Sequence, residues 1–258
     1  MIEEKDTGGT VLYDDGDHRF IWLGTDTHGK KGVVQTMQYL IVDKGRGVLL
    51  DPGGVHLFPR VVAAASRYIS IDRIDTIFFS HQDPDVSSGI ALWLGVTSAK
   101  IYIAELWMRF IPHFGIVDQA RIAPIEGAGK SLKLGSGAEL VFVPTHYMRS
   151  PAAFSLFDKR AGIIFTGDVG GAVFPEGDET MFADDFKAHV KYIEGFHKRL
   201  IVANSVAKRW VDNVRRLAPT MIAPQHGSIY RGDSVGAYLD WLSALRCGID
   251  DLEPLYRM

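Results

Sequence analysis

The chain has 258 residues, of which 47% are hydrophobic, so it is long enough to bury a substantial core. Its 28 basic and 31 acidic residues leave a formal charge of −3, and the sequence contains no basic run that could follow a phosphate backbone. Nucleic acid is therefore not an expected partner.

The N-terminal residues, the lack of long apolar spans and the single cysteine indicate the expected location and redox chemistry of the protein. The N-terminal residues MIEEKDTGGT are acidic and polar, and no apolar span elsewhere is long enough for a membrane. We therefore expect a cytoplasmic protein without a membrane partner. Cys247 lies on a helix-like stretch with no histidine nearby, and we interpret it as structural or incidental rather than nucleophilic. Without a recognisable linker, we expect one domain over residues 1–258 and no flavin-binding domain.

The first half of the chain predicts strands, followed by helices that alternate with strands. Apolar, β-branched patterns predict an antiparallel start with a KGRG turn between its last two strands: HRFIWLG (18–24), TMQYLIVD (36–43) and GVLLDPGG (47–54). The elements predicted next are a helix over 56–68, a buried strand over 74–80, a short helix at SSGIALWLG (87–95), a strand at KIYIA (100–104) and a helix at ELWMRFIPHF (105–114).

A second β-rich block follows a polar loop. Its strand patterns are ELVFVPT (139–145), AAFSLFD (152–158) and GIIFTGD (162–168). A long helical region is predicted from about Glu179 to Leu217, and Gly195 is expected to mark a break or bend within it, because glycine is a poor helix former.

The last elements are a strand at TMIAPQ (220–225) and a helix from about Ser234 to Cys247, with Asp233 as its expected cap. Its apolar positions are Val235, Tyr238, Trp241, Leu242 and Leu245. Strands and helices grouped twice along the chain predict an α+β fold with two sheets face to face and helices on the outer surfaces.

The stretch FFSHQDPDVSSG has a metal-binding side chain at every second position: His81, Asp83 and Asp85. Alone, these residues are equally typical of a turn or a helix cap. However, a histidine or aspartate also follows three other predicted strands, at His146, Asp168 and His226. Ligand residues at four strand ends, each flanked by glycine or proline, predict one metal site with three imidazoles and three carboxylates.

With these residues in place, nearly the whole chain resembles the metallo-β-lactamase fold, an αββα sandwich. LLDPGG resembles its early strand with a terminal Asp-x-Gly, and FFSHQDPDVSSG its first metal-binding loop. The likeness is closest to the di-iron core of flavodiiron proteins and oxygen-binding di-iron proteins. Asp83 stands where zinc hydrolases have a second histidine, and APQHGSIYRG, with the helical stretch before it, resembles the last ligand segment of the di-iron branch.

The resemblance implies a role for each candidate ligand. His81, Asp83 and His146 would hold one metal, Asp85 and His226 the other, and Asp168 would bridge both. The family's loop ends in a further histidine ligand, and Val86 stands at that position here. The second metal would then have open positions for water or a small ligand.

Imidazole and carboxylate ligands without thiolate suit iron, zinc or manganese, and we expect two iron ions. Ferrous ions would bind O2 or NO, either in a sensor or in a reductase core that takes electrons from a separate partner. Zinc ions would instead activate a hydroxide to attack an ester, lactone or phosphodiester. A scaffold that has lost its second metal is the third interpretation. The expected partners are O2 or NO and a separate redox or signalling protein, with no flavin bound by this chain and a homo-oligomer left open.

Four further residues are candidates for the surroundings of the metals. Asp51 either orients a ligand histidine or caps a Pro-Gly turn. Tyr147 and Tyr230 flank ligand segments, where they either hydrogen-bond a bound oxygen species or pack. His28 lies in DTHGKKG, a loop that would overhang the site. The remaining histidines follow no ligand spacing: His18, His56, His113, His189 and His197.

Overall fold

The computed structural model describes residues 9–25, 35–116, 119–175 and 177–253. The chain divides into two units, one formed by Met1–Phe142 with Asp158–Ala161 and the other by Val143–Phe157 with Gly162–Met258. Within the described ranges, no helix combines the length and the apolarity that crossing a membrane requires.

The first unit contains a seven-stranded mixed sheet whose strands follow one another in chain order. They are β1 (Thr10–Asp14), β2 (His18–Thr25), β3 (Met37–Asp43), β4 (Arg46–Leu50), β5 (Ile74–Phe78), β6 (Lys100–Ala104) and β7 (Ile122–Ile125). Neighbours from β1 to β4 are antiparallel, as predicted, and neighbours from β4 to β7 are parallel. Every residue of β3 is buried, as in a strand that is covered on both faces.

Parallel strands need crossover connections, and helical segments supply them. These segments are α1 (Phe58–Ala65) after β4, α2 (Pro84–Ser87) and α3 (Ile90–Val96) after β5, and a 3-10 helix at Glu105–Phe114 after β6; shorter 3-10 turns lie at Val55–Leu57 and Ile71–Arg73. Val61, Val86 and Trp93 belong to one apolar cluster of this unit and are fully buried. The predicted helices therefore exist, although α1 is shorter than expected.

The segment expected to be a polar loop contains β7 and one more strand, β8 (Ser131–Lys133). β8 pairs antiparallel with β9 (Glu139–Pro144), which confirms the strand predicted at ELVFVPT. β7 is difficult to predict from the sequence because it contains Pro124, and proline is unusual inside a sheet. β7 is the last strand in the order of its sheet, where a missing N–H is tolerated.

In the part of the second unit that the structure describes, four further strands and three helices are present. The strands neighbour one another in the order β13 (Tyr230–Arg231), β12 (Met221–Ala223), β11 (Ile163–Phe165) and β10 (Phe154–Asp158). β11 and β12 are parallel, whereas β12 and β13 are antiparallel. The helices are α4 (Phe186–Leu200), α5 (Asn204–Leu217) and α6 (Asp233–Ala244), followed by a 3-10 turn at Gly248–Asp251. Mixed sheets with helices confirm the predicted α+β class.

The long helical region differs from the prediction in where it starts and where it breaks. It begins at Phe186, and the break lies at 201–203, while Gly195 is an exposed residue inside α4. Val202 N–H donates to the carbonyl of Tyr147 at 3.1 Å, and Ile249 N–H donates to the carbonyl of Val202 at 2.8 Å. Tertiary hydrogen bonds therefore hold the chain extended here, and the glycine is tolerated.

The cap predicted for the last helix is also wrong. Asp233 is the first helical residue of α6, and Gly232 precedes it with a φ of 54°. The predicted buried stripe is confirmed at Val235, Tyr238 and Leu242. Cys247 lies beyond the helix and is buried. Burial, with the nearby charge of Asp250, raises the pKa of its thiol to about 11, so it stays protonated near neutral pH.

Candidate metal centre

The ligand loop of the first unit starts where two neighbouring parallel strands end. Leu50 of β4 pairs with Phe78 of β5, and Asp51 N–H donates to the carbonyl of Phe78 at 2.9 Å. Carboxyl ends of neighbouring parallel strands meet at the same edge of a sheet, where α/β proteins commonly place their ligand sites. This register brings Asp51 beside Ser80, directly before His81.

Ser80 connects Asp51 to His81. The backbone N–H of Ser80 donates to Oδ1 of Asp51 at 2.7 Å, and its hydroxyl donates to Oδ2. The hydroxyl oxygen then accepts from Nδ1 of His81, 2.9 Å away. A neutral histidine with its proton on Nδ1 has its lone pair on Nε2. The buried relay therefore selects the tautomer that binds a metal through Nε2.

The carboxylates of this loop flank the start of α2. Asp83 directly precedes the helix and lies partly buried, with its Oδ2 3.7 Å from Nε2 of His81. Asp85, in the first turn, is also partly buried. The next residue, Val86, is fully buried in the apolar cluster. Its side chain thus packs in the core of the first unit, so a substitution at position 86 would also disturb this core.

The ligand residues of the second unit repeat the same arrangement on another parallel pair. Phe165 of β11 pairs with Ala223 of β12, and the loops that follow carry Asp168 and His226. The backbones of the two loops are joined because Gln225 N–H donates to Gly167 O at 2.8 Å and Ala172 N–H donates to His226 O at 3.3 Å. Nε2 of His226 lies 3.2 Å from Oδ1 of Asp168, and both side chains are buried. The side chains of Asp168 and His226 therefore lie close enough to bind the same metal ion.

Both backbone polar groups of Gly170, two residues after Asp168, are bonded to buried side chains. Its N–H donates to Nε2 of His197 at 2.9 Å, and its carbonyl accepts from the Tyr230 hydroxyl at 2.7 Å. Gly170 has a φ of +95°, and a Cβ would lie 3.1 Å from the Tyr230 ring, so a larger residue would strain the loop. Burial lowers the pKa of His197 to about 4, which keeps the ring neutral near pH 7. Tyr230 thus supports the Asp168 loop.

Arg149 also contacts Asp168. Its Nε lies 2.7 Å from Oδ2, on the carboxylate oxygen that does not face His226. The Arg149 side chain is 31% exposed, whereas that of Asp168 is 5% exposed. Asp168 is therefore placed between an imidazole and a guanidinium.

His146 follows β9 and precedes a strained residue. Its Nδ1 accepts a long hydrogen bond from Ala153 N–H at 3.3 Å. A neutral ring that accepts at Nδ1 carries its proton on Nε2, so His146 would have to change tautomer to bind a metal through Nε2. Tyr147 has a φ of 63° and is 54% exposed. A left-handed backbone is unusual for a bulky residue and often marks a functional site.

The residues present fit divalent metal ions. Imidazole nitrogens and carboxylate oxygens bind such ions at about 2 Å, so two ligands of one ion lie roughly 3 Å apart. The imidazole-to-carboxylate distances of 3.2 Å for His226 with Asp168 and 3.7 Å for His81 with Asp83 are of this order. The relay on His81 supplies the outer support that metal-binding histidines usually have.

Sequence reasoning missed three supporting residues. Ser80 is adjacent to His81, and Arg149 lies three residues after His146. A hydroxyl or a charge close in sequence to a predicted ligand could therefore have identified both as supporting residues. His197 gives no such signal, because it comes close to the Asp168 loop only through folding. His28 lies outside the described residues.

Comparisons with known proteins identify relatives of this chain. The chain is 58% identical to the protein in a structure described as a peroxy diiron species of the chemotaxis sensor ODP, with a TM-score of 0.88 and coverage of 96% of this chain and 99% of that one. Rubredoxin oxygen:oxidoreductase from Desulfovibrio gigas is 18% identical, with a TM-score of 0.76 over 91% of this chain and 60% of that one, and shows the likeness of fold.

Among curated proteins, the anaerobic nitric oxide reductase flavorubredoxin of Aeromonas salmonicida is 23% identical over 84% of this chain and 43% of its own length. The chain spans less than half the length of the curated relatives it matches. Residues 34–227 match the family described as ODP family beta lactamase, which confirms the expected metallo-β-lactamase fold. With more than half of its length matched, the chain belongs to the ODP beta-lactamase family.

Proposed function

We propose that this chain is a di-iron protein that binds O2 or NO and acts as a gas sensor. The observation that carries the proposal is the 58% identity, over 96% of the chain, to a structure described as a peroxy diiron species of a chemotaxis sensor. The flavorubredoxin relative, named for nitric oxide reduction, adds NO as a ligand. The same di-iron site could instead serve as a reductase core that takes electrons from a separate donor.

The proposed ligands are those expected from the sequence, within a single metal-binding domain. His81, Asp83 and His146 hold one iron, Asp85 and His226 hold the other, and Asp168 serves both. The convergence of His226 with Asp168 and of His81 with Asp83 supports the assignment. Zinc and manganese accept the same nitrogen and oxygen ligands, so metal identity is part of the proposal.

The irons, when bound, would supply the electrons and the open positions that a diatomic gas requires. The chain's own residues prepare the ligands. Ser80 and Asp51 hold the proton of His81 on Nδ1, and His197 with Tyr230 fixes the backbone that carries Asp168. Because Val86 has no donor atom, the second metal would be left with fewer protein ligands than the first.

Metal content tests the proposal. The protein is expressed with iron supplied, purified without oxygen and analysed for all transition metals by mass spectrometry. Two irons per chain support the proposal. Two zincs, together with hydrolysis of a lactone or phosphodiester, would support a hydrolase instead. One metal or none under every condition would support a scaffold.

A further inference from the structure

Arg149 contacts an oxygen that a bridging carboxylate would use for metal binding. Nε of Arg149 lies 2.7 Å from Oδ2 of Asp168, while Oδ1 of the same carboxylate lies 3.2 Å from Nε2 of His226. A guanidinium and a metal ion are both cations, and each binds through an oxygen lone pair. While the guanidinium stays in contact, it partly neutralises the charge of Oδ2 and repels a metal ion that approaches the same oxygen.

The Asp168 loop does not need Arg149 for its position. His197 and Tyr230 bind both backbone groups of Gly170, Gly171 N–H donates to the carbonyl of Asp168 at 2.9 Å, and the Thr166 hydroxyl donates to the carbonyl of Val169. These supports are buried and uncharged. What Arg149 adds is therefore a charge.

The surroundings of Arg149 allow it to leave. Its side chain is 31% exposed, so part of it already lies in contact with water. It belongs to a turn that its own backbone closes, because Met148 N–H donates to Thr145 O at 3.1 Å and Tyr147 N–H donates to Ser150 O at 2.7 Å. Displacing the side chain toward solvent would therefore leave the hydrogen bonds of the turn intact.

We propose that Arg149 is a built-in competitor of metal ions at Asp168. In the metal-free protein the guanidinium neutralises the buried carboxylate, and metal binding displaces it toward solvent. The affinity of the site is thereby set below the value that its ligands alone would give, which suits a site whose occupancy responds to the supply of metal. This inference rests on the proposed function, since it takes Asp168 to be a metal ligand.

The sign of a single substitution tests the competitor role. Arg149→Gln keeps a polar side chain and removes the charge. The metal-free variant should therefore bind Zn²⁺ on the order of tenfold more tightly than the parent, because it loses a partly exposed ion pair to Asp168 and the repulsion between the guanidinium and the divalent cation. A competition titration with a chelator measures the difference. Arg149→Lys should remain close to the parent. Arg215→Gln, which removes an exposed arginine from its pair with Asp240, is the matched control and should leave the affinity unchanged.

A second measurement follows the parent protein and does not depend on the folding of a variant. The Nε–H signal of Arg149, assigned by its loss in Arg149→Lys, should shift during a Zn²⁺ titration at the same stoichiometry as the binding curve. Equal or weaker Zn²⁺ binding by Arg149→Gln, or an Nε–H signal that stays in place as zinc binds, would overturn the competitor role alone. If neither parent nor variant binds metal, the proposed function fails and the competitor role fails with it.

Discussion

Nε2 of His18 lies 2.7 Å from Oδ2 of Asp158, and neither side chain is exposed to solvent. The other ring nitrogen, Nδ1, lies 2.9 Å from Oδ1 of Asp43, which also accepts from the hydroxyl of Ser136. A ring with a carboxylate at each nitrogen can donate to both only as the imidazolium. Burial opposes that charge, but the carboxylates of Asp158 and Asp43 outweigh it and raise the pKa of His18 above its ordinary 6.5.

This pairing predicts how stability depends on pH. Because the folded protein keeps the His18 proton to a higher pH than the unfolded chain does, the stabilisation is fully present below 6.5 and is lost as the pH rises through the raised pKa. His18→Gln should remove this pH dependence of the free energy of unfolding. At pH 6 it should lower that free energy by about 3–5 kcal/mol, the usual cost of breaking a buried ion pair. Urea unfolding from pH 6 to pH 9 measures both effects. Exposed His113→Gln is the control and should keep the parent's slope.

The relay through Ser80 predicts a loss of metal affinity without the loss of any ligand. Ser80→Ala removes the hydroxyl that accepts from His81 and donates to Asp51, and substitutions of this kind typically weaken metal binding by about 10- to 100-fold. Chelator competition measures the change. Ser70→Ala removes a hydroxyl that donates to exposed Asp72 and should bind metal like the parent. A Ser80 variant with unchanged affinity would mean that His81 is oriented by other contacts.

The proposed sharing of Asp168 predicts a graded response of metal content. Asp168→Ala should lose most of both metals, whereas Asp85→Ala should chiefly empty the second site. Elemental analysis of the two variants, prepared side by side with iron supplied, gives the comparison. Full metal content in Asp168→Ala would refute the ligand assignment.

Position 86 predicts a gain of metal affinity. Val86→His restores a nitrogen donor to the ligand loop and should let the variant retain its second iron against a chelator that strips the parent, by a factor of about ten or more. It should also bind O2 or NO less readily if the open position is where the gas docks. Because Val86 is fully buried among apolar side chains, some loss of stability is expected, and Val86→Leu serves as the packing control. Unchanged retention and gas binding would show that this position does not face the metal.

The sequence predicts the ligand loops better than their supports. His81, Asp168 and His226 each follow an apolar run that forms a largely buried strand, and local composition is enough to find such runs. The contacts from Ser80 to Asp51 and from His197 to Gly170 join residues 29 and 27 positions apart, and no local pattern encodes them.

The errors in element boundaries have the same origin. Gly195 is a weak point by propensity, yet α4 continues through it and stops where Val202 is hydrogen-bonded to the carbonyl of Tyr147. Similarly, Asp233 has the composition of a cap, but the left-handed Gly232 takes the position before the helix. Tertiary hydrogen bonds and backbone conformation therefore decided what propensity alone could not.

We propose above all that the chain carries a di-iron site that reacts with a diatomic gas. The most direct measurement is the visible absorption of the iron-loaded protein, reduced without oxygen and then exposed to O2. We expect a ligand-to-iron charge-transfer band that appears on exposure, decays slowly because no electron donor is present, and is absent from the Asp168→Ala variant. A protein that holds two ferrous ions yet shows no spectral change with O2 or NO, and that instead hydrolyses lactone or phosphodiester substrates, would contradict the claim.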